Sequence, residues 1–166
     1  MIIDTHVHFS GSPGFAEQHA QECARLGIAK VCLLGGTWEN RRIEGGILAA
    51  MAQYPKLYLG FGMLQLGKDH PDAVSAFKDA GFTGLKCIRP AARYDDKAYY
   101  PHYQAPDKSQ PWEKILFGSD VDTEVVEDVI ADYRRTMAAV GLTPEMQDKV
   151  WSGNAARLLR LPSKEL

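Results

Sequence analysis

Four short apolar runs in the first ninety residues alternate with segments of helical spacing, and this rhythm restricts the fold more than any other feature of the chain. "IIDTHVHF" (2–9), "IAKVCLLG" (28–35), "LYLGFGML" (57–64) and "TGLKCIRP" (83–90) read as strands. The second is continuously apolar, the mark of a strand buried on both faces of a parallel sheet. Between these runs, residues 14–26 carry Phe15, Ala20, Cys23, Ala24 and Leu26 at helical spacing and stop at Gly27. "NRRIEGGILAAMAQYP" places Ile43, Ile47, Leu48 and Met51 at helical spacing and ends before Pro55, and "HPDAVSAFKDAGF" has Pro71 near its start and Gly81 past its end. Such alternation predicts parallel βαβ units with right-handed crossovers, and so an α/β fold.

After Pro90 the rhythm breaks. Residues 91–111 hold internal prolines, a charge cluster and several aromatic residues without a clear strand. "KILFGSD" (114–120) predicts a fifth strand that runs into a polar tip, and a helix follows at 123–139 with Val126, Ile130, Tyr133 and Met137 on one face. Thr143 suits a helix N-cap with Pro144 at the first helical position, and "GNAARLLRL" (153–161) reads as a short terminal helix. A chain of 166 residues has the length of one domain. It divides into 1–90 (four βα units), 91–111 (an irregular joint) and 112–166 (a last strand and C-terminal helices).

The first strand carries the chemistry. Side chains alternate faces along a strand, which sets Ile3, Thr5, Val7 and Phe9 against Asp4, His6 and His8. Burying a polar group without a partner costs about 2–7 kcal/mol, so that second set must face water or bind something. Two imidazoles two residues apart are close enough to share one metal ion. In α/β sheets ligands collect beyond the carboxyl ends of strands, where His8 lies and where Asp120 closes the "ILFGSD" run. Two imidazoles with a hard carboxylate suit zinc or another divalent transition metal. The plainer alternative leaves both histidines solvent-facing on an edge strand and Asp120 capping a turn. Asp4 is expected to hold a neighbouring group by hydrogen bond, and His19 and His70 are expected on the surface.

Taken in order, "DTHVHF", "GLKCIRPAARYDD", "ILFGSDVD" and "NAARLLRL" resemble the amidohydrolase superfamily, most closely its amidohydrolase-related group similar to aminocarboxymuconate-semialdehyde decarboxylase, over residues 1–103 and 111–161. The resemblance implies a distorted (β/α)8 barrel with a divalent metal, zinc or else manganese, at the carboxyl ends of its strands. His6 and His8 would be ligands, and Asp120 would bind the metal and handle the proton of an activated water. Lys86 would line the substrate pocket, and Arg89 and Arg93 either bind a substrate carboxylate bidentately or stand as solvated rim residues. The implied reaction is hydrolysis of a lactone, ester or amide; the alternatives are non-oxidative decarboxylation of a small (aromatic) carboxylic acid and an inactive remnant.

The chain departs from that family in length. Eight βα units need about 250 residues, with about 200 as a floor; here "QAPDKSQP" stands where strands five to seven would be. The expectation is an incomplete barrel of about five parallel strands in the order 8-1-2-3-4, with flanking helices. Its two open edges favour a homodimer that covers them. A small-molecule substrate is expected and nucleic acid is not, because the net charge is only −2. No charged leader precedes Ile2, no apolar run reaches the roughly 18 residues that span a bilayer, and Cys23, Cys32 and Cys87 form no C-x-x-C. These features point to a cytoplasmic protein with reduced thiols and no membrane partner. A flavodoxin-like nucleotide binder lacks its signature, since no strand-following G-x-G-x-x-G is present.

Overall fold

Each of the first four apolar runs becomes a strand, and all four pair in parallel in the order β1-β2-β3-β4. The computed structural model describes residues 1–35, 43–64, 68–87 and 111–162. The strands are β1 (Ile2–His8), β2 (Ile28–Leu34), β3 (Tyr58–Met63) and β4 (Gly84–Lys86). Three helices connect them: α1 (Phe15–Leu26), α2 (Ile43–Gln53) and α3 (Asp72–Asp79). The result is a four-stranded parallel half-barrel with flanking helices.

Local chemistry explains these boundaries. Gly27, at φ 72°, ends α1 in the left-handed region and returns its N–H to the Cys23 carbonyl. On β3, Gly60 and Gly62 share the helix-facing side with Tyr58. A Cβ at Gly60 would sit 2.4 Å from Met51 Sδ, and one at Gly62 would sit 2.4 Å from the Phe77 ring. The missing side chains let α2 and α3 lie directly on the strand. The main core gathers Val7, Phe9, Val31, Leu33, Ile47, Tyr58, Phe77, Phe117, Ile130 and Trp151.

The C-terminal part follows the expected helices with sharper detail. A 3₁₀ turn at Thr123–Val125 leads into α4 (Val126–Ala139), so the first turn predicted as α-helix is wound more tightly. Thr143 caps α5 (Pro144–Asp148), its hydroxyl accepting from the Met146 N–H at 3.4 Å. A π-helical turn, Lys149–Gly153, joins α5 to α6 (Asn154–Leu159).

One expectation needs correction. Residues 115–120 form no regular strand, so the sheet of described residues has four strands rather than five. The segment nevertheless runs beside β1: Thr5 N–H donates to Phe117 O at 2.9 Å, and Asp120 N–H donates to His6 O at 2.9 Å. The other ladder bonds go elsewhere. Phe117 N–H donates to Val150 O, Ser119 N–H donates to the Asp4 side chain, and Asn154 Nδ2 donates to the carbonyls of Trp112 and Ile115. Side chains and the π turn satisfy this backbone, so it needs no second strand. The packing of β1 is also split between two clusters. Its pairing with β2 shifts register between Ile2 and Ile3 and again between Asp4 and Val7. Ile3 packs with Ala155 and Ala156, while Val7 and Phe9 belong to the main core.

No helix among the described residues is long and apolar enough to cross a membrane. All three cysteines are free. Burial pushes the thiols of Cys23 and Cys32 up to about 12, which leaves them unreactive.

Candidate metal centre

His6 and His8 stand two residues apart on β1, so their side chains leave the strand on one side. Their rings lie 5.1 Å apart at 54°, with Nε2 atoms 3.1 Å from each other. Asp120 comes to them from the segment beside β1. Its Oδ1 lies 3.2 Å from His6 Nε2 and 3.4 Å from His8 Nε2. Two backbone features allow that approach. Gly118 passes so close to β1 that a Cβ there would meet His6 Cβ at 2.9 Å. Asp120 adopts φ 51°, a left-handed conformation that aspartate tolerates better than most residues.

These separations fit a metal. A tetrahedral ion with bonds near 2.1 Å sets its ligand atoms about 3.4 Å apart and leaves a fourth position open in catalytic sites. The two imidazole nitrogens and the carboxylate oxygen all lie within 4.8 Å of one another, and among the described residues they form the cluster with metal-ligand chemistry. The centre sits at an open rim, with the His6, His8 and Asp120 side chains 31%, 42% and 61% exposed.

Lys86, near the end of β4, joins the group. Its Nζ lies 3.1 Å from His6 Nε2. Partial burial lowers the affinity of the Lys86 amine for its proton, while Asp120 opposes the shift. His6 is held below the ordinary histidine range, first by burial and then by the Lys86 ammonium, against the pull of Asp120. A neutral imidazole is the form that ligates a metal.

Asp4 lies beneath the site and is completely buried. One oxygen, Oδ1, accepts from the His6 N–H at 3.1 Å and the Ser119 N–H at 3.0 Å. The expected hydrogen-bonding role is therefore present. Burial raises the Asp4 carboxyl above the usual range, partly offset by bonds from Ser119 and the His6 amide. The Ser119 hydroxyl is close enough to favour the charged form, yet neither it nor Asp4 Oδ2 closes a hydrogen bond of good geometry.

Of the residues singled out from sequence, the structure brings together His6, His8, Asp120 and Lys86. Arg89 and Arg93 lie outside the described residues. His70 is exposed beside Asp72, as expected. His19 is not on the surface: it is 2% exposed, stacked on Phe15 and 3.1 Å from the Tyr58 hydroxyl. The i, i+4 spacing of His19 with Cys23, one of the residues at helical spacing in α1, was the signal for its burial. Asn154, which holds the Asp120 segment through two carbonyls, had no assigned role; its place at the head of the terminal "NAARLL" helix was the available sign.

No curated protein matches the chain. Residues 39–161 match the family described as Amidohydrolase. That span includes Lys86 and Asp120 and begins after the β1 histidines. Metal dependence is general in the family, and the His6–His8–Asp120 cluster is where this chain could hold an ion. With well over half of its length matched, the chain belongs to the amidohydrolase family.

Proposed function

We propose that the protein is a metal-dependent hydrolase acting on a lactone, ester or amide. The observation that carries this reading is the set of Nε2, Nε2 and Oδ1 atoms of His6, His8 and Asp120, separated by 3.1, 3.2 and 3.4 Å. These three side chains would hold zinc, or manganese in its place. The ion would supply Lewis acidity that polarises a carbonyl and makes a water acidic near neutral pH. The chain's own residues do the rest. Asp120, the most exposed of the three, accepts the proton released as the water attacks. Lys86 presents its ammonium where negative charge develops on the substrate. Asp4 keeps His6 and the Asp120 segment in register.

A second reading rests on Lys86. A cationic nitrogen 3.1 Å from a candidate ligand suits a substrate carboxylate, which favours non-oxidative decarboxylation of a small carboxylic acid by the same centre. Arg89 and Arg93 belong to this proposal as further carboxylate contacts.

Metal analysis of the wild type beside His6→Ala and His8→Ala is the first test, with about one ion per chain expected for the wild type alone. Equal metal content in all three proteins would exclude the centre. Loaded protein is then offered lactones, aryl esters and aromatic carboxylates, and Asp120→Asn should abolish whatever turnover appears. Carbon dioxide release from a carboxylate would select decarboxylation. Absence of turnover in folded, metal-loaded protein would instead favour a remnant that binds without catalysis, such as a barrel lacking the region of strands five to seven.

The proposal extends to assembly and location. Ile115 and Val140 are 45% and 65% exposed, and they flank an apolar cavity of about 320 Å³ beside Tyr133 and Met137. A second copy of the chain covering this open side, in a homodimer, would bury them; light scattering reads the mass directly. Three free thiols agree with the reducing cytoplasm.

A further inference from the structure

We infer that Asp4 is the positioning residue of the centre, a single buried carboxylate that clips the histidine-bearing strand to the separate segment carrying Asp120. The inference rests on the metal-site reading and adds what holds the three ligands in place.

The three side chains come from two pieces of chain more than a hundred residues apart in sequence. β1 holds itself by pairing with β2; residues 115–120 form no regular strand and are held at Ile115 by Asn154 and at Phe117 by Thr5 and Val150, which leaves the end that carries Asp120 to be fixed. Asp4 provides it at the position that matters. Its Oδ1 accepts one N–H from His6, a candidate ligand, and one from Ser119, the residue before Asp120. Between them, the Asp120 N–H donates to the His6 carbonyl at 2.9 Å. Thus the backbone of one ligand and the approach to another are referred to the same oxygen atom. Asp4 is 0% exposed, so water does not compete for that oxygen.

The geometry also distinguishes a clip from a charge requirement. Oδ2 has no hydrogen-bond partner among the described residues, and neither does Ser119 Oγ beside it. An asparagine in place of Asp4 keeps the accepting Oδ1 and puts a donor where Oδ2 was, facing a hydroxyl able to accept. An alanine leaves the His6 and Ser119 amides unmet. If Asp4 acts by position, Asp4→Asn works and Asp4→Ala does not.

The test compares the wild type, Asp4→Asn, Asp4→Ala and Ile47→Val, a change at a buried core position on α2 that lowers stability. Zinc and manganese affinities are measured by competition with a chromophoric chelator. Amide exchange at His6, Ser119 and Asp120 is read by NMR without metal. Residues that orient metal ligands typically contribute on the order of 10–100-fold in affinity. The expected result is a loss of that size in Asp4→Ala, affinity within about threefold of wild type in Asp4→Asn, and no loss in Ile47→Val. Protection of the Asp120 amide should fall in Asp4→Ala and persist in Asp4→Asn.

Unchanged affinity in folded Asp4→Ala overturns the inference, and so does an Asp120 amide that stays protected there. Failure of Asp4→Asn to rescue overturns it as well. Should Asp4→Ala not fold, the wild type decides: Ser119 and His6 amides exchanging like those of an open loop would exclude the clip. A wild type that binds neither ion yet shows the expected exchange pattern removes the metal reading and leaves the clip standing.

Discussion

Asp120 meets His6 twice, once through its backbone N–H, 2.9 Å from the His6 carbonyl, and once through Oδ1, 3.2 Å from His6 Nε2. A main-chain bond and a side-chain contact between the same two residues leave little freedom in how the carboxylate is presented. The left-handed backbone at Asp120 makes both contacts compatible, because it turns the chain back after Ser119. A regular strand through this position would send alternate side chains to opposite faces with no such return.

Lys86 would compete with a cation held at this centre, since its ammonium stands 3.1 Å from His6 Nε2. Replacing it with methionine removes the repulsion and keeps the length of the side chain. Lys86→Met should therefore bind zinc about threefold to tenfold more tightly, a modest gain because the site is open to solvent and screened. Turnover should fall in the same variant. A drop in zinc affinity on titration would show instead that Lys86 holds the ligands in place.

Two adjacent glycines in α2 make opposite predictions. A Cβ at Gly45 meets nothing within 4 Å, so Gly45→Ala should stabilise the protein by roughly 0.5–1 kcal/mol through helix propensity. A Cβ at Gly46 would lie 2.4 Å from the Phe9 ring, and Gly46→Ala should cost about 1–3 kcal/mol. Urea unfolding of both variants checks the pair.

Asn154 is 4% exposed and donates to the carbonyls of Trp112 and Ile115 at 2.6 and 3.0 Å. Asn154→Ala leaves two acceptors short of a donor and should destabilise the fold by about 1–3 kcal/mol. Asn154→Asp should do more harm, because it faces those carbonyls with a carboxylate. Thermal melts that rank alanine below aspartate would contradict this account.

His19 makes the fold sensitive to acid. Burial holds its pKa at about 4, against 6.5 for an ordinary histidine, with Glu22 opposing. Above pH 6.5 the ring is neutral in both folded and unfolded chains and carries no penalty. As the pH falls from 6.5 to about 4 the unfolded chain takes up a proton that the folded one refuses, so stability drops across that window. The loss reaches about 3 kcal/mol at its limit. His19→Gln should show a flatter pH dependence of unfolding free energy, and an identical slope in both proteins would refute the assignment.

Much of this architecture is legible in the residues. The runs at 28–34 and 58–63 are short, apolar and bounded by glycine or proline signals, and the intervening helices end where Gly27, Pro55 and Gly81 say they should. The H-x-H pair is equally readable, because period-two alternation along a strand is a local property that no tertiary contact is needed to create. Residues 115–120 are different. Their apolar content is that of a strand, but the hydrogen-bonding partners that replace a ladder come from Asp4, Val150 and Asn154, distant in sequence. The burial of His19 was missed for a related reason, since Tyr58 closes over it only once α1 lies on the sheet.

The sequence by itself determined the parallel strand–helix order and the donor types available at its carboxyl rim, because periodicity and residue chemistry are written locally. Only the tertiary structure decided that His6, His8, Asp120 and Lys86 share a few ångströms of space. That convergence depends on Gly118 permitting close approach and on buried Asp4 joining two backbones, and a contact between distant segments has no local pattern from which it can be read.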